Sequence, residues 1–213
     1  MFDLDGTIVD TESIEYQSIR VVWAMHSADY TIAHFEHVIG TTIGPDWIEE
    51  LQQVLGTSVD TRAALAHRRE VKQRLLDAAV ARDGIVSLIE QASAVGIPMA
   101  IASNSPLDWV EARLTDLALR HHMTALISID VASLPKPHPE PYLEACAALG
   151  ADPGLSVAFE DSATGVTSAL AAGLYTVACA GPLTLGHDLS RAHRVIQSHR
   201  DVSLHDLGRA VRA

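Results

Sequence analysis

The chain has 213 residues, enough for one domain or for one domain carrying a smaller insert, and its 48% hydrophobic and 20% charged composition excludes a disordered polymer. Its net charge of −12 argues against a nucleic-acid-binding face, although not against a small phosphorylated substrate, since a local site can be positive inside an acidic protein. No apolar run approaches a bilayer span and no basic-then-apolar leader precedes the first polar cluster, so the expectation is a soluble cytoplasmic protein with no membrane partner, monomeric by default.

The chain opens MFDLDGTIVDTES. Only Met1 and Phe2 precede Asp3, so a first strand is expected to be short. Residues 11–81 then show helix patterns and no strand. TESIEYQSIRVVWAMHS places Ile14, Ser18, Val21, Val22 and Met25 on one stripe. GPDWIEELQQVL and TRAALAHRREVKQRLLDAAVA are amphipathic in the same way. Roughly seventy helical residues after a single strand predict an inserted helical cap domain over 11–81, with the core made of 1–10 and 82–213.

Beyond the insert the pattern alternates. A helix over 83–95 stops at Gly96, and the apolar run IPMAIAS, 97–103, reads as a buried strand. Ser105 and Pro106 start a helix over 106–118. A strand is predicted in 125–130, a helix over 139–149, a strand over 155–161, a helix over 163–172 and a strand over 174–180. A short strand near Val195 and Ile196 and a closing helix complete the chain. Cys146 and Cys179 lie in small apolar contexts and read as buried thiols in a reducing compartment. This alternation implies an α/β fold, a Rossmann-like doubly wound parallel sheet core with an inserted α-helical cap domain.

In such a sheet, ligands bind beyond the carboxyl ends of the strands. The polar residues predicted there are Asp3, Asp5, Gly6 and Thr7; Ser103, Asn104 and Ser105; Lys136; and Glu160, Asp161 and Ser162. Each alone has a bland reading as a surface pair, a helix cap, a solvated charge or a turn. Asp3 and Asp5 raise each other's energy, so they either stay in water or act on a cation. In extended geometry, residues two apart point the same way.

The set DLDGTIVDTE, SNSP, KPHPEPY and FEDSATGV, in this order, resembles the haloacid-dehalogenase-like superfamily, in its phosphatase and β-phosphoglucomutase-like branch with a helical cap. The likeness covers nearly the whole chain. It implies that Asp3 is the nucleophile, forming an aspartyl-phosphate, and that Asp5 is the general acid and base. It implies a metal held by the Asp3 side chain, the Asp5 backbone carbonyl and Asp161, with Glu160 in the surrounding shell or acting through water. A hard, oxygen-only site with few protein ligands favours Mg²⁺. Ser103 and Asn104 match the phosphate-contacting pair, and Lys136 matches the lysine that neutralises phosphoryl charge and Asp3.

The implied activity is Mg-dependent hydrolysis of small phosphorylated metabolites, sugar or polyol phosphates. The alternative is a phosphohexomutase. β-Phosphoglucomutase-like relatives place an arginine in the cap turn and a lysine after the second motif. Here these stretches read GTTIGPDW and SNSPLDW, which favours hydrolysis.

Other polar groups read more plainly. His34 with His37, and His121 with His122, have no cysteine or acidic partner in a zinc pattern and read as surface or packing residues. Asp10 and Glu12 suit the first turn of a helix, or an orienting role in the first loop. Trp47 reads as core packing, with stacking on a sugar as the functional reading. Arg68, Arg69, Lys72 and Arg74 read as a solvated face from which one cation could reach a second charged group of the substrate.

Overall fold

The computed structural model describes residues 1–35 and 46–212. Its contacts divide the chain into two compact units, Thr11–Ala79 and the combination of Met1–Asp10 with Val80–Ala213. Among the described residues, no helix is long and apolar enough to cross a membrane.

The Thr11–Ala79 unit is helical: α1 Thr11–Met25, α2 Ile32–Phe35, α3 Trp47–Leu55 and α4 Thr61–Asp77. Asp46 and Asp60 cap α3 and α4 by accepting hydrogen bonds from first-turn amides. Helix α1 packs along α4. It buries Thr11, Ile14, Ser18, Ile19, Val22 and Trp23, whereas Val21 and Met25 are exposed. The buried arc is wider than the expected stripe and centred near Val22. One side of it meets α4. On another side the Trp23 ring packs against Tyr30 and His34, at centroid distances of 4.9 and 5.1 Å. Val21 and Met25 fall at the margin of that arc.

Glu15 on α1 pairs with both Arg68 and Lys72 of α4, so two of the four basic residues are engaged within this unit while Arg69 and Arg74 are exposed. The Arg68 guanidinium also lies over the half-buried Trp47 ring, 5.7 Å from its centroid. Asp10 immediately precedes α1 and Glu12 stands in its first turn. His37 and most of the GTTIGPDW turn lie outside the described residues.

The larger unit contains α5 Ile85–Ala94, β1 Ala100–Ala102, α6 Leu107–Asp116, β2 Ala125–Ile127, α7 Glu140–Leu149, β3 Val157–Glu160, α8 Ala163–Ala171, β4 Tyr175–Ala178, β5 Arg194–Val195 and α9 Leu204–Ala210. Strand β1 pairs in parallel with β2, and β3, β4 and β5 form a parallel run in that order. Phe2 joins the two groups by parallel bridges to Ile101 and Phe159. Its amide donates to the Ala100 carbonyl at 2.9 Å, and the Asp3 amide donates to the Phe159 carbonyl at 3.0 Å. The short first strand is thus a two-sided stub at the middle of the sheet. This is the doubly wound topology expected, with regular strands shorter than the apolar runs because pairing lasts only where both neighbours continue.

Small residues line the sheet. Ala100, Ala102 and Ala158 are buried together with Ala145 and Cys146 of α7 and Ala169 of α8, so both helices lie close on the strands. Cys146 and Cys179 are buried, unpaired thiols.

His199 is buried against Phe159, with no hydrogen bond of normal geometry on either ring nitrogen among the described residues. Burial, aided by the nearby Arg82 charge, pushes its pKa from 6.5 down to about 4. Above the unfolded value both states hold a neutral ring. Below it the unfolded chain takes a proton that the folded ring refuses, so stability falls with pH across this window. The full difference is about 3 kcal/mol. Urea unfolding of the wild type should show this loss between about pH 6.5 and 4. His199→Phe should flatten it, and an equal acid loss in the variant would contradict the assignment.

Candidate active site

Four chain segments meet at the carboxyl ends of the strands. Asp3 follows the central stub, Ser103 follows β1, Lys136 sits on the connection from β2 to α7, and Glu160 and Asp161 end β3. The Lys136 ammonium donates to Asp3 Oδ1 at 2.7 Å and to Glu160 Oε1 at 2.6 Å. Lys136 is 6% exposed, Asp3 8%, Glu160 1% and Asp161 3%, so these charges sit out of water. The Tyr142 hydroxyl donates to the same Glu160 oxygen at 2.5 Å, and Lys136 lies over the Tyr142 ring at 5.1 Å.

Asp3, Glu160 and Asp161 each offer a carboxylate oxygen, all within 4.8 Å of one another. One lysine faces three acids, so two negative charges are left over when all are ionised. Burial raises the Asp3 pKa against the pull of Lys136. Lys136 is itself held above the usual lysine range. Burial alone would lower it, but the Asp3 and Glu160 charges outweigh that effect. Tyr142 is raised well above its ordinary value by burial and by Glu160.

The remaining oxygen of Asp3, Oδ2, is buried with no hydrogen-bond partner among the described residues. An orphaned buried carboxylate oxygen beside two further acids fits a hard divalent cation. Thr184, whose hydroxyl accepts the Gly181 amide at 2.6 Å, also stands 3.5 Å from Asp161 Oδ2.

Two glycines make room for this group. Gly6 has φ +89°, and a Cβ on it would run into the Asp161 carboxylate. A Cβ on Gly165, in α8, would run into the Glu160 carboxylate.

The Asp5 side chain points elsewhere than expected. Its carboxylate accepts the Ser105 hydroxyl on Oδ2 at 2.6 Å and the Trp109 indole N–H on Oδ1 at 3.0 Å. Its side chain stands outside the three-carboxylate group. Asp5 bridges Val9, and the chain turns over residues 6–8, with the Ile8 and Val9 amides donating to the Leu4 carbonyl at 2.9 and 3.2 Å.

The Asn104 side chain grips the Lys136 backbone. Its Nδ2 donates to the Lys136 carbonyl at 3.1 Å, and its Oδ1 accepts the Lys136 amide at 2.8 Å. Ser103 is buried, and its hydroxyl oxygen accepts the Ser105 amide at 3.0 Å, which leaves the O–H as a donor. Glu160 enters the arrangement directly, paired with Lys136.

Sequence reasoning placed Ser105 at a strand end without a role, and missed Trp109, Tyr142, Thr184 and Arg82. Arg82 donates to the carbonyls of Gly6, Cys179 and Ala180, the last two at 2.8 and 2.7 Å, and so ties the first turn to the end of β4. Trp109 had a signal, an N–H-bearing ring in the first turn after SNSP. Arg82 had none. The His121 and His122 rings lie 3.9 Å apart and take no part in this group.

The sequence model of the haloacid dehalogenase-like hydrolase family matches residues 1–179. The chain belongs to that family. Among similar proteins, this haloacid dehalogenase-like hydrolase is 30% identical over 207 residues to validoxylamine A 7'-phosphate phosphatase of Streptomyces hygroscopicus subsp. limoneus, covering 97% of this chain and 92% of that one. It is 30% identical over 182 residues to fructose-1-phosphate phosphatase YqaB of Escherichia coli, covering 83% and 93%. The crystal structure of a HAD family hydrolase from Deinococcus radiodurans R1, with bound phosphate and sodium, superposes with a TM-score of 0.78 at 25% identity, covering 99% and 95%.

Removing one member of a buried ion pair leaves its partners uncompensated. Lys136→Met should therefore cost about 3–5 kcal/mol in urea unfolding without added metal. Adding Glu160→Gln to that variant should recover part of the loss. A cost below about 1 kcal/mol for Lys136→Met would show that the pair is not buried as described.

Proposed function

We propose that the chain is a Mg²⁺-dependent phosphatase of small phosphorylated metabolites, sugar or polyol phosphates, acting through an aspartyl-phosphate on Asp3. One observation carries the reading: a buried carboxylate with one oxygen held by Lys136 and the other with no donor among the described residues, beside two further buried acids. The names of the relatives support the substrate class, since two of them are named as phosphatases of validoxylamine A 7'-phosphate and of fructose 1-phosphate. In this reading Met1–Asp10 with Val80–Ala213 is the catalytic core, and Thr11–Ala79 is the substrate-selecting cap domain.

Asp3, Asp161 and Glu160 would hold the ion, with the Asp5 carbonyl as a further oxygen ligand. When bound, Mg²⁺ offsets negative charge on the phosphoryl oxygens and on the acids around it. The rest falls to the chain's own groups. Lys136 anchors one oxygen of the Asp3 carboxylate and opposes charge on the transferring phosphoryl group. Asp3 attacks phosphorus as the bond to the leaving oxygen breaks, and Asp5 delivers a proton to that oxygen. The resulting Asp5 carboxylate then takes a proton from water as the water attacks the phospho-aspartate, which regenerates Asp3 and releases phosphate. Ser103 contributes a hydroxyl donor to a phosphoryl oxygen. Asn104 acts indirectly, by fixing the loop that carries Lys136. Pro106 and Leu107 stand directly after Ser-Asn-Ser, with no lysine to grip a second phosphate, which weighs against a mutase.

A panel of phosphate monoesters should release phosphate with Mg²⁺, best from sugar or polyol phosphates, and release none in EDTA. Asp3→Asn should remain folded and lose more than about a thousandfold in kcat. Mg²⁺ alone should raise the thermal midpoint of the wild type and not that of Asp161→Asn. Turnover in EDTA, or turnover by Asp3→Asn, would contradict the reading. Conversion of glucose 1-phosphate to glucose 6-phosphate faster than phosphate release would replace it with the mutase.

A further inference from the structure

We propose that Trp109 is a positioning residue for the Asp5 carboxylate, an inference that rests on reading Asp5 as the general acid and base. Asp5 is gripped on both oxygens by donors from one short stretch of chain. The Ser105 hydroxyl is 2.6 Å from Oδ2 and the Trp109 indole nitrogen 3.0 Å from Oδ1. Two donors on two oxygens define the plane and the rotamer of a carboxylate, which a single contact does not do.

Trp109 is itself fixed. It stands in the first turn of α6, whose first amide, on Leu107, donates to Asp130 Oδ2 at 2.7 Å. One turn on, the Arg113 guanidinium lies over its ring at 4.7 Å and pairs with Asp116 at 2.6 Å. The ring is therefore held from below by a stacked cation while its N–H edge faces Asp5. Asp5 gains a second anchor that belongs to a helix and not to the turn that carries it.

A positioned proton donor matters in proportion to how badly the leaving group needs a proton. An alkoxide from a sugar or polyol phosphate needs one, and p-nitrophenolate does not. The experiment compares wild type and Trp109→Phe, which keeps an aromatic ring for Arg113 and removes the indole N–H, on glycerol phosphate and on p-nitrophenyl phosphate. For glycerol phosphate, Trp109→Phe should lower kcat/KM by about tenfold, and for p-nitrophenyl phosphate leave it within about twofold. An equal loss on both substrates, or no loss on either, would overturn the proposal. Ser105→Ala should show the same leaving-group pattern, and serves where Trp109→Phe folds poorly.

A second readout needs no turnover. Three tryptophans give three indole N–H resonances in a ¹⁵N-labelled sample. The one that vanishes in Trp109→Phe should move upfield in Asp5→Asn, and an unmoved signal would show that the contact is not made. Wild type inactive on every phosphate ester, together with a moved indole signal, would defeat the phosphatase reading and leave Trp109 as a holder of Asp5 without that role.

Discussion

The site depends on a single buried ammonium. Lys136 sits between Asp3 and Glu160 with almost no access to water, so the ammonium is held by the geometry of the two carboxyl groups rather than by solvent. Asp161 adds a further acid that Lys136 does not balance. The arrangement is thus built with a deficit of positive charge, and the orphaned Asp3 oxygen lies where that deficit is felt. In the proposed reaction a phosphoryl group brings more negative charge, which a cation beside the lysine would offset.

Much of the surrounding structure serves that cluster. Asn104 holds the Lys136 backbone by two hydrogen bonds, so the lysine is fixed at its root as well as its tip. Tyr142 donates to the same Glu160 oxygen that Lys136 already engages. Gly6 and Gly165 are bare where a methyl group would displace Asp161 or Glu160. Arg82 ties three carbonyls from two distant segments and so closes the first turn against the end of β4. The alanine-lined sheet lets α7 and α8 lie close on the strands.

The helices and the four polar strand ends were legible because periodicity and strand-end position are local properties. The convergence of Asp3, Lys136, Glu160 and Asp161 followed from the topology of a parallel sheet. The direction of Asp5 was not legible, because the donors that hold its carboxylate, Ser105 and Trp109, stand 100 and 104 positions further along the chain. Nor was the engagement of Asn104 with the Lys136 backbone, a contact between loops 32 positions apart. The face of α1 was misjudged for a similar reason: helical pattern identifies an apolar stripe, while the number of elements that cover it decides how wide the buried arc becomes. Arg82 carried no motif, since a guanidinium that binds carbonyl oxygens has no partner of fixed residue type to reveal it.

The central claim is that Asp3 takes the phosphoryl group. The direct measurement is rapid acid quench of the Asp5→Asn variant during turnover of a sugar phosphate with Mg²⁺, followed by mass spectrometry of its peptides. The account predicts a phosphoryl group on Asp3. Phosphoryl transfer to any other residue, or steady turnover with no phosphoprotein at any time, would contradict it.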